Sequence, residues 1–240
     1  MKSAAVVSVS GSPGVTTLVC AVAAGSTNDR PLLVVEAATS GASIAARWRL
    51  DVRDTVNTTA RLAMEVSSTV DLWRTAHAPW LGASRVIPAH PSAVVMRQAQ
   101  VSRWLAERLA TVEVPVLVDA GRVDGSPEQF DLLTAVGSVW VLMDPIVEQV
   151  IAARAIADWL NKTGPVGLLM REPGGEAARH STTAATAMLQ WPAVASVPHD
   201  PRSARALCGL SPAPRNLARA PLIRTARAVG ERLGRVEVRA

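Results

Sequence analysis

Short, wholly apolar runs alternate along this chain with longer stretches in which apolar residues recur at three- and four-residue spacing. The first kind predicts buried strands and the second predicts helices. Strands are expected at Ala4–Val9, Leu32–Glu36, Arg85–Pro88, Val114–Val118, Ser138–Met143, Val166–Met170 and Ala193–Val197. Helices are expected at Val15–Ala24, Ser43–Trp48, Thr55–Ser67, Ala93–Leu109, Pro127–Val136, Ile146–Leu160 and Ala177–Leu189, with two more near Arg202–Leu207 and Leu217–Leu233. The Ala93–Leu109 helix rests on Val94, Val101, Leu105 and Leu109, while Val70–Ala83 reads as irregular. Strands that are apolar on both faces need cover on both faces. The alternation therefore predicts a three-layer α/β/α domain around a mostly parallel sheet. No repeat, low-complexity linker or composition break divides it, so residues 1–240 read as one domain.

Composition narrows the class. Of 240 residues, 49% are hydrophobic, enough for a sizeable core and too many for a disordered chain. No apolar run approaches the ~20 residues that span a bilayer. The start lacks the pattern of a secretory signal and reads as a first strand. Cys20 and Cys208 form no CxxC pair, which argues against a metal or disulfide framework and points to a reducing, cytoplasmic setting. The net charge of +5 is almost wholly arginine, since Lys2 and Lys162 are the only lysines. Arg202 to Arg239 holds nine arginines against Glu231 and Glu237, a tail that suits a solvated helix face or an anionic partner such as DNA or a membrane surface.

The first strand runs into Gly11-Ser12-Pro13-Gly14-Val15-Thr16-Thr17 and then a helix. Strand, glycine loop and helix make a phosphate cradle: loop N–H groups and the helix N-terminus face the anion, and a threonine at the helix start can hold Mg²⁺. Gly11, Ser12, Gly14, Thr16 and Thr17 meet those needs, and Val15 adds its backbone. Val15, however, stands where the full motif has its lysine, Val9 replaces the first glycine, and Pro13 removes one N–H. The same glycines also suit a plain strand-to-helix turn.

Further blocks fall in order downstream. Leu32–Thr39 (LLVVEAAT), Val116–Asp119 (VLVD), Ser138–Asp144 and Val197–Pro201 (VPHDP) together resemble the MinD/ParA-like group of P-loop proteins, whose loop lies over Ser10–Thr17. Gly11–Leu18, Val118–Arg122 (VDAGR) and Ala220–Leu233 are most similar to an actinobacterial-type branch related to the TadZ/CpaE pilus-localisation proteins. The resemblance implies the P-loop NTPase fold, ATP and Mg²⁺ as cofactors, and a homodimer. It also implies Thr16 and Asp119 as the Mg²⁺ residues, Asp119 being the Walker B acid. It exposes losses as well. The group's cross-dimer lysine falls at Ser10, its loop lysine at Val15, its water-positioning aspartate at Ala38, and its adenine-reading asparagine near Met170. Phosphoryl transfer needs positive charge on the γ-phosphate and an oriented water. Arg122, beside Asp119, is the one auxiliary cation the neighbourhood offers.

Three expectations follow. The first is a positioning or assembly factor of a pilus, secretion or partition system, hydrolysing weakly or not at all, which acts through dimerisation and a protein partner. The second is an active ATPase using a non-standard cation, and the third a DNA-binding partition factor using the late arginines. The stripe Leu222, Ala226, Val229, Leu233 and Val236 suits a helix packed on the sheet, or one laid on a membrane. His77, His90, His180 and His199 have no metal-ligand spacing. Among the aromatics, Trp104, Trp140 and Trp159 are expected in or near the core, and Trp73 and Trp80 in the irregular segment.

Overall fold

A computed structural model describes residues 3–11, 13–40, 43–51, 55, 72–78, 83–96, 99–109, 112–172 and 176–233. Seven strands form one all-parallel sheet in the order β3-β2-β4-β1-β5-β6-β7. They are β1 (Ser3–Ser8), β2 (Leu33–Glu36), β3 (Arg85–Ile87), β4 (Val116–Arg122), β5 (Val139–Met143), β6 (Val166–Arg171) and β7 (Ala193–Val197). The helices between them are α1 (Val15–Gly25), α2 (Ile44–Trp48), α3 (Leu72–Thr75), α4 (Ala93–Met96), α5 (Ala99–Leu109), α6 (Pro127–Ala135), α7 (Val147–Ala155), α8 (Ala157–Asn161), α9 (Glu176–Leu189) and α10 (Pro201–Leu207). A 3₁₀ turn at Leu217–Arg219 leads into α11 (Pro221–Leu233).

Every strand but β7 feeds two cores, because successive side chains leave opposite faces of the sheet. Ala5 and Val7 of β1 join Leu33, Val35, Val118 and Val141 beneath α5, α6, α8 and α9. Ala4 and Val6 join Val34, Leu117 and Leu142 beneath α1 and α11. The stripe of α11 is consumed there: Leu222, Ala226, Val229 and Leu233 are all buried. Close approach to α1 is possible because Gly25 has no side chain; a Cβ on it would lie 3.3 Å from the backbone of Ile223 and Arg227. Between residues 222 and 233 the apolar face is therefore covered by protein and not free for a membrane. Val236 lies outside the described residues. No helix among the described residues is long and apolar enough to cross a membrane.

Several element boundaries differ from the sequence reading. Expected as one helix, Ile146–Leu160 breaks at Ile156, whose φ of −113° and ψ of 7° interrupt the ladder. The Ala93–Leu109 helix is described as α4 and α5, on either side of residues 97–98, which lie outside the described set. Val94, counted toward its buried face, is 82% exposed, whereas Val101, Leu105 and Leu109 are buried as the spacing predicts. Within the stretch read as irregular, Leu72–Thr75 forms one helical turn and His77 bridges to Val86. The Thr55–Ser67 helix and Trp80 fall almost wholly outside the described residues.

β4 extends past its apolar run, through Asp119 to Arg122, because it keeps a partner on β1. Ser8 pairs with Arg122 after a register shift, and the Val123 N–H donates to the Ser8 carbonyl at 2.8 Å. Chain order reverses around β1, which lies between β4 and β5. The crevice at the carboxyl ends of β1 and β4 is where open parallel sheets place ligands.

Candidate functional site

β1 delivers the glycine loop to that crevice. Gly14 caps α1 with φ 98° and ψ 37°, a left-handed conformation that other residues adopt only at a cost. Its carbonyl accepts from the Leu18 N–H at 2.9 Å, so the helix starts at once. No side chain caps this N-terminus and no acid sits in its first turn. The first N–H groups of α1 are therefore available to an anion. Gly11 is exposed, with φ 65°, and Ser12 lies outside the described residues.

Val15 is 6% exposed and packs among the core residues beneath α1 and α11. Where the resemblance places the loop lysine, this chain thus turns an apolar side chain inward and offers the loop only a backbone N–H.

Thr16 and Thr17 are half-buried in the first turn. Thr16 lies by Asp119, and the Thr17 hydroxyl lies 3.6 Å from the Cys208 sulfur. Asp119 is fully buried. Its Oδ1 accepts from the Gly121 N–H at 3.1 Å, while Oδ2 has no hydrogen-bond partner. Burial raises its pKa above the ordinary carboxylate range, against the opposing pull of the Thr16 hydroxyl, the Gly121 N–H and Arg47. Buried polar atoms are rarely left without a partner. An unpaired carboxylate oxygen beside a helix-start threonine suits a divalent cation.

Next to Asp119 in the sheet register stands a second buried acid, Glu36. Its carboxylate accepts from the N–H groups of Ser43 (2.8 Å), Ile44 (3.1 Å) and Ala89 (3.2 Å), so it ties the start of α2 to the loop after β3. Burial, then the neighbouring Asp119, pushes its pKa up to about 7. The half-buried Arg47 of α2 acts on Asp119 and donates to the Cys208 sulfur at 3.0 Å. Cys20 is fully buried, and desolvation drives its thiol well above its usual range.

The loops after β2 and β4 close on each other above this pair. Ala38 stands where the resemblance places the water-positioning aspartate, and it is 6% exposed. A Cβ added to Gly121, whose φ is 66°, would lie 2.7 Å from the Ala38 Cβ. The Thr39 hydroxyl donates to Asp124 Oδ2 at 2.6 Å. Gln129, 1% exposed near the start of α6, holds the β4 loop from within. Its Nε2 donates to the carbonyls of Ala120 (3.1 Å) and Arg122 (2.9 Å), and its Oε1 accepts from the Asp124 N–H (2.9 Å).

So held, Arg122 reaches over the phosphate loop: its Nη2 donates to the Gly11 carbonyl at 2.6 Å. On the other side of Gly11 lies Gln149 of α7, which is bonded to Asp144, and Asp144 in turn pairs with Arg171.

The structure thus gathers Gly11, Gly14, Val15, Thr16, Thr17, Asp119 and Arg122 at one crevice. Met170 is 1% exposed within the core and Ser10 is half-buried beside the loop. Sequence reasoning missed Gln129, Arg47 and the capping role of Glu36. Only Gln129 left a signal, at the third position of a helix capped by Ser126-Pro127. His199 is exposed, His90 accepts from the Ser92 N–H, and no metal-binding cluster exists among the described residues. Trp104 and Trp140 are buried, Trp159 stacks edge-on against Phe130, and Trp73 carries the Arg85 guanidinium over its ring. Of the late arginines, the described ones, Arg202 to Arg232, are all exposed. A cavity of about 730 Å³ lies at the far edge, between the end of α1 and α11, and includes none of these loop residues.

No family model matches the sequence, and no curated protein matches it. Solved structures do match its fold. The cell division ATPase MinD of Pyrococcus furiosus is 16% identical, with a TM-score of 0.75 over 98% of this chain and 99% of that one. The septum site-determining protein MinD of Pyrococcus horikoshii, solved with Mg-ADP, is 16% identical, with a TM-score of 0.70 over 96% and 95%. A ParA family ATPase of Chlorobium tepidum is 11% identical, with a TM-score of 0.71 over 95% and 98%. At these identities the likeness speaks for architecture, and the chain has the fold of the MinD/ParA P-loop ATPases.

Proposed function

We propose that this protein is a degenerate MinD/ParA-like positioning or assembly factor that binds a nucleotide and hydrolyses it weakly or not at all. The observation that carries the reading is Val15, turned into the core at the position from which a lysine would meet the β/γ-phosphates. The second absence agrees with it. Ala38 bears no carboxylate to orient water, and it is buried against Gly121, where an added Cβ would lie 2.7 Å from its own.

The phosphate and metal groups nonetheless suit a bound Mg-nucleotide. The α1 N-terminus and the Gly11–Thr17 loop would take the phosphates. Thr16 and Asp119 would hold Mg²⁺, whose charge would answer the unpaired Asp119 oxygen. When bound, the metal would neutralise phosphate charge, and the rest of the site would hold the ligand without driving transfer.

Such a protein works by assembly, and the surface supports a homodimer or a protein partner. Ile146, Val147 and Ile151 are 48%, 70% and 60% exposed on and beside α7, the helix whose Gln149 abuts Gly11. Phosphate release from saturating Mg-ATP tests the reading. The expected rate is slow and lies close to that of an Asp119→Ala variant. Rapid release by the wild type that Asp119→Ala abolishes would overturn it in favour of an active ATPase.

A further inference from the structure

We propose that Arg122 supplies in cis the cation that Val15 does not, so that its guanidinium binds the phosphates of a nucleoside triphosphate held in the Gly11–Thr17 loop. The inference rests on the nucleotide-binding part of the reading above and is independent of whether turnover occurs.

Position is the first argument. Arg122 stands at the end of β4, and its backbone is fixed on two sides. Ser8 pairs with it across the β1–β4 ladder, and the buried Gln129 amide binds its carbonyl. Its side chain crosses to the loop and donates to the Gly11 carbonyl at 2.6 Å. Among the described residues it pairs with no carboxylate.

Chemistry is the second. A guanidinium carries five N–H donors in a planar fork, and the Gly11 carbonyl takes only one contact. The remaining donors match phosphate oxygens, which accept such charge-assisted bonds in pairs.

The third argument is independent of Arg122. Asp119 Oδ2 is wholly buried and unpaired beside Thr16, at the floor of the same crevice. That orphaned acceptor marks the place of a cation, and a cation there brings an anion above it. Arg122, held against the Gly11 carbonyl, would meet that anion at the loop. The arrangement explains how a loop without lysine keeps its glycines, its helix-start threonines and its buried acid together.

Isothermal titration of Mg-ATP, and separately of linear tripolyphosphate, into the full chain tests the proposal by binding alone. Removing one charge-assisted phosphate contact predicts a loss of about ten- to a hundredfold in affinity for both ligands in Arg122→Ala. Arg122→Lys should recover part of it, and Arg227→Ala, on α11 beside the carboxyl end of α1, should bind as the wild type does. The thermal midpoint of ligand-free Arg122→Ala should match that of the wild type. Equal affinity of Arg122→Ala and wild type overturns the proposal, and so does a wild type that binds neither ligand. A ligand-free destabilisation that accounts for the affinity loss also overturns it, because Arg122 would then merely brace Gly11. If wild type turns ATP over while Arg122→Ala binds weakly, the non-hydrolysing reading fails and this inference stands.

Discussion

The Gln129 amide offers the most quantitative handle on how the site is held. Replacing it with leucine keeps the volume and removes three hydrogen bonds at once: those to Ala120 O, Arg122 O and Asp124 N. The side chain is 1% exposed, so water cannot take over its role. Each lost bond is worth about 1 kcal/mol net, and each backbone group left unpaired away from water costs up to about 1–3 kcal/mol. The three act as one network and are not independent, so a total of about 3–5 kcal/mol is expected. In a domain of this size each kcal/mol lowers the midpoint by about 2–4 °C, which makes the shift about 10 °C. Urea unfolding followed by tryptophan fluorescence measures the loss. Gln129→Glu should cost at least as much, because it replaces the donor to two carbonyls with a second acceptor oxygen. A loss below about 1 kcal/mol in Gln129→Leu would mean that the β4 loop is held by something else, and it would remove the main support for a fixed Arg122.

Two further outcomes follow from the buried acids and the paired loops. Glu36 titrates at about 7 in the fold against an ordinary 4.5, so the folded state binds its proton more tightly than the unfolded chain does. Its stabilising contribution is full below pH 4.5 and is lost as pH rises to 7, about 3 kcal/mol in all. Asp119→Asn removes one buried carboxylate and the charge that helps to raise Glu36. The fall in unfolding free energy between pH 5 and pH 8 should therefore be smaller in that variant, and parallel profiles would contradict the coupling. Gly121 and Gly125 both have left-handed φ, but only at Gly121 would a Cβ meet Ala38; at Gly125 it would meet nothing within 4 Å. Alanine should cost about 1–2 kcal/mol at Gly125 and about 2–4 kcal/mol at Gly121; equal losses in urea unfolding would deny the contact between the two loops.

Much of this was legible in the chain. Fully apolar runs such as Val116–Val118 and Val139–Met143 have no polar face to give to water, so a sheet covered on both sides followed from them. Gly14, Thr16 and Asp119 could be picked out because helix starts and strand ends restrict which residues suit a phosphate or a cation. The contacts that complete the site were not legible. Gln129 binds Arg122, Arg122 reaches Gly11, and Glu36 gathers N–H groups as distant in sequence as Ala89. These are long-range meetings set by strand order and by a register shift at Ser8. Local periodicity carries no trace of either. The break at Ile156 was hidden for a different reason: its neighbours keep helical spacing, and only the backbone angles differ. Val15 was legible as an apolar residue where the resemblance expects a lysine, but its packing into the core was not.

The central claim is that the MinD/ParA fold is kept here for holding a nucleotide and not for spending it. A single-turnover experiment, with protein in excess over γ-labelled ATP and Mg²⁺ present, separates binding from chemistry in one tube. The account predicts that the label is retained by the protein and recovered as intact ATP after hours. Complete conversion of bound label to free phosphate within minutes would contradict it.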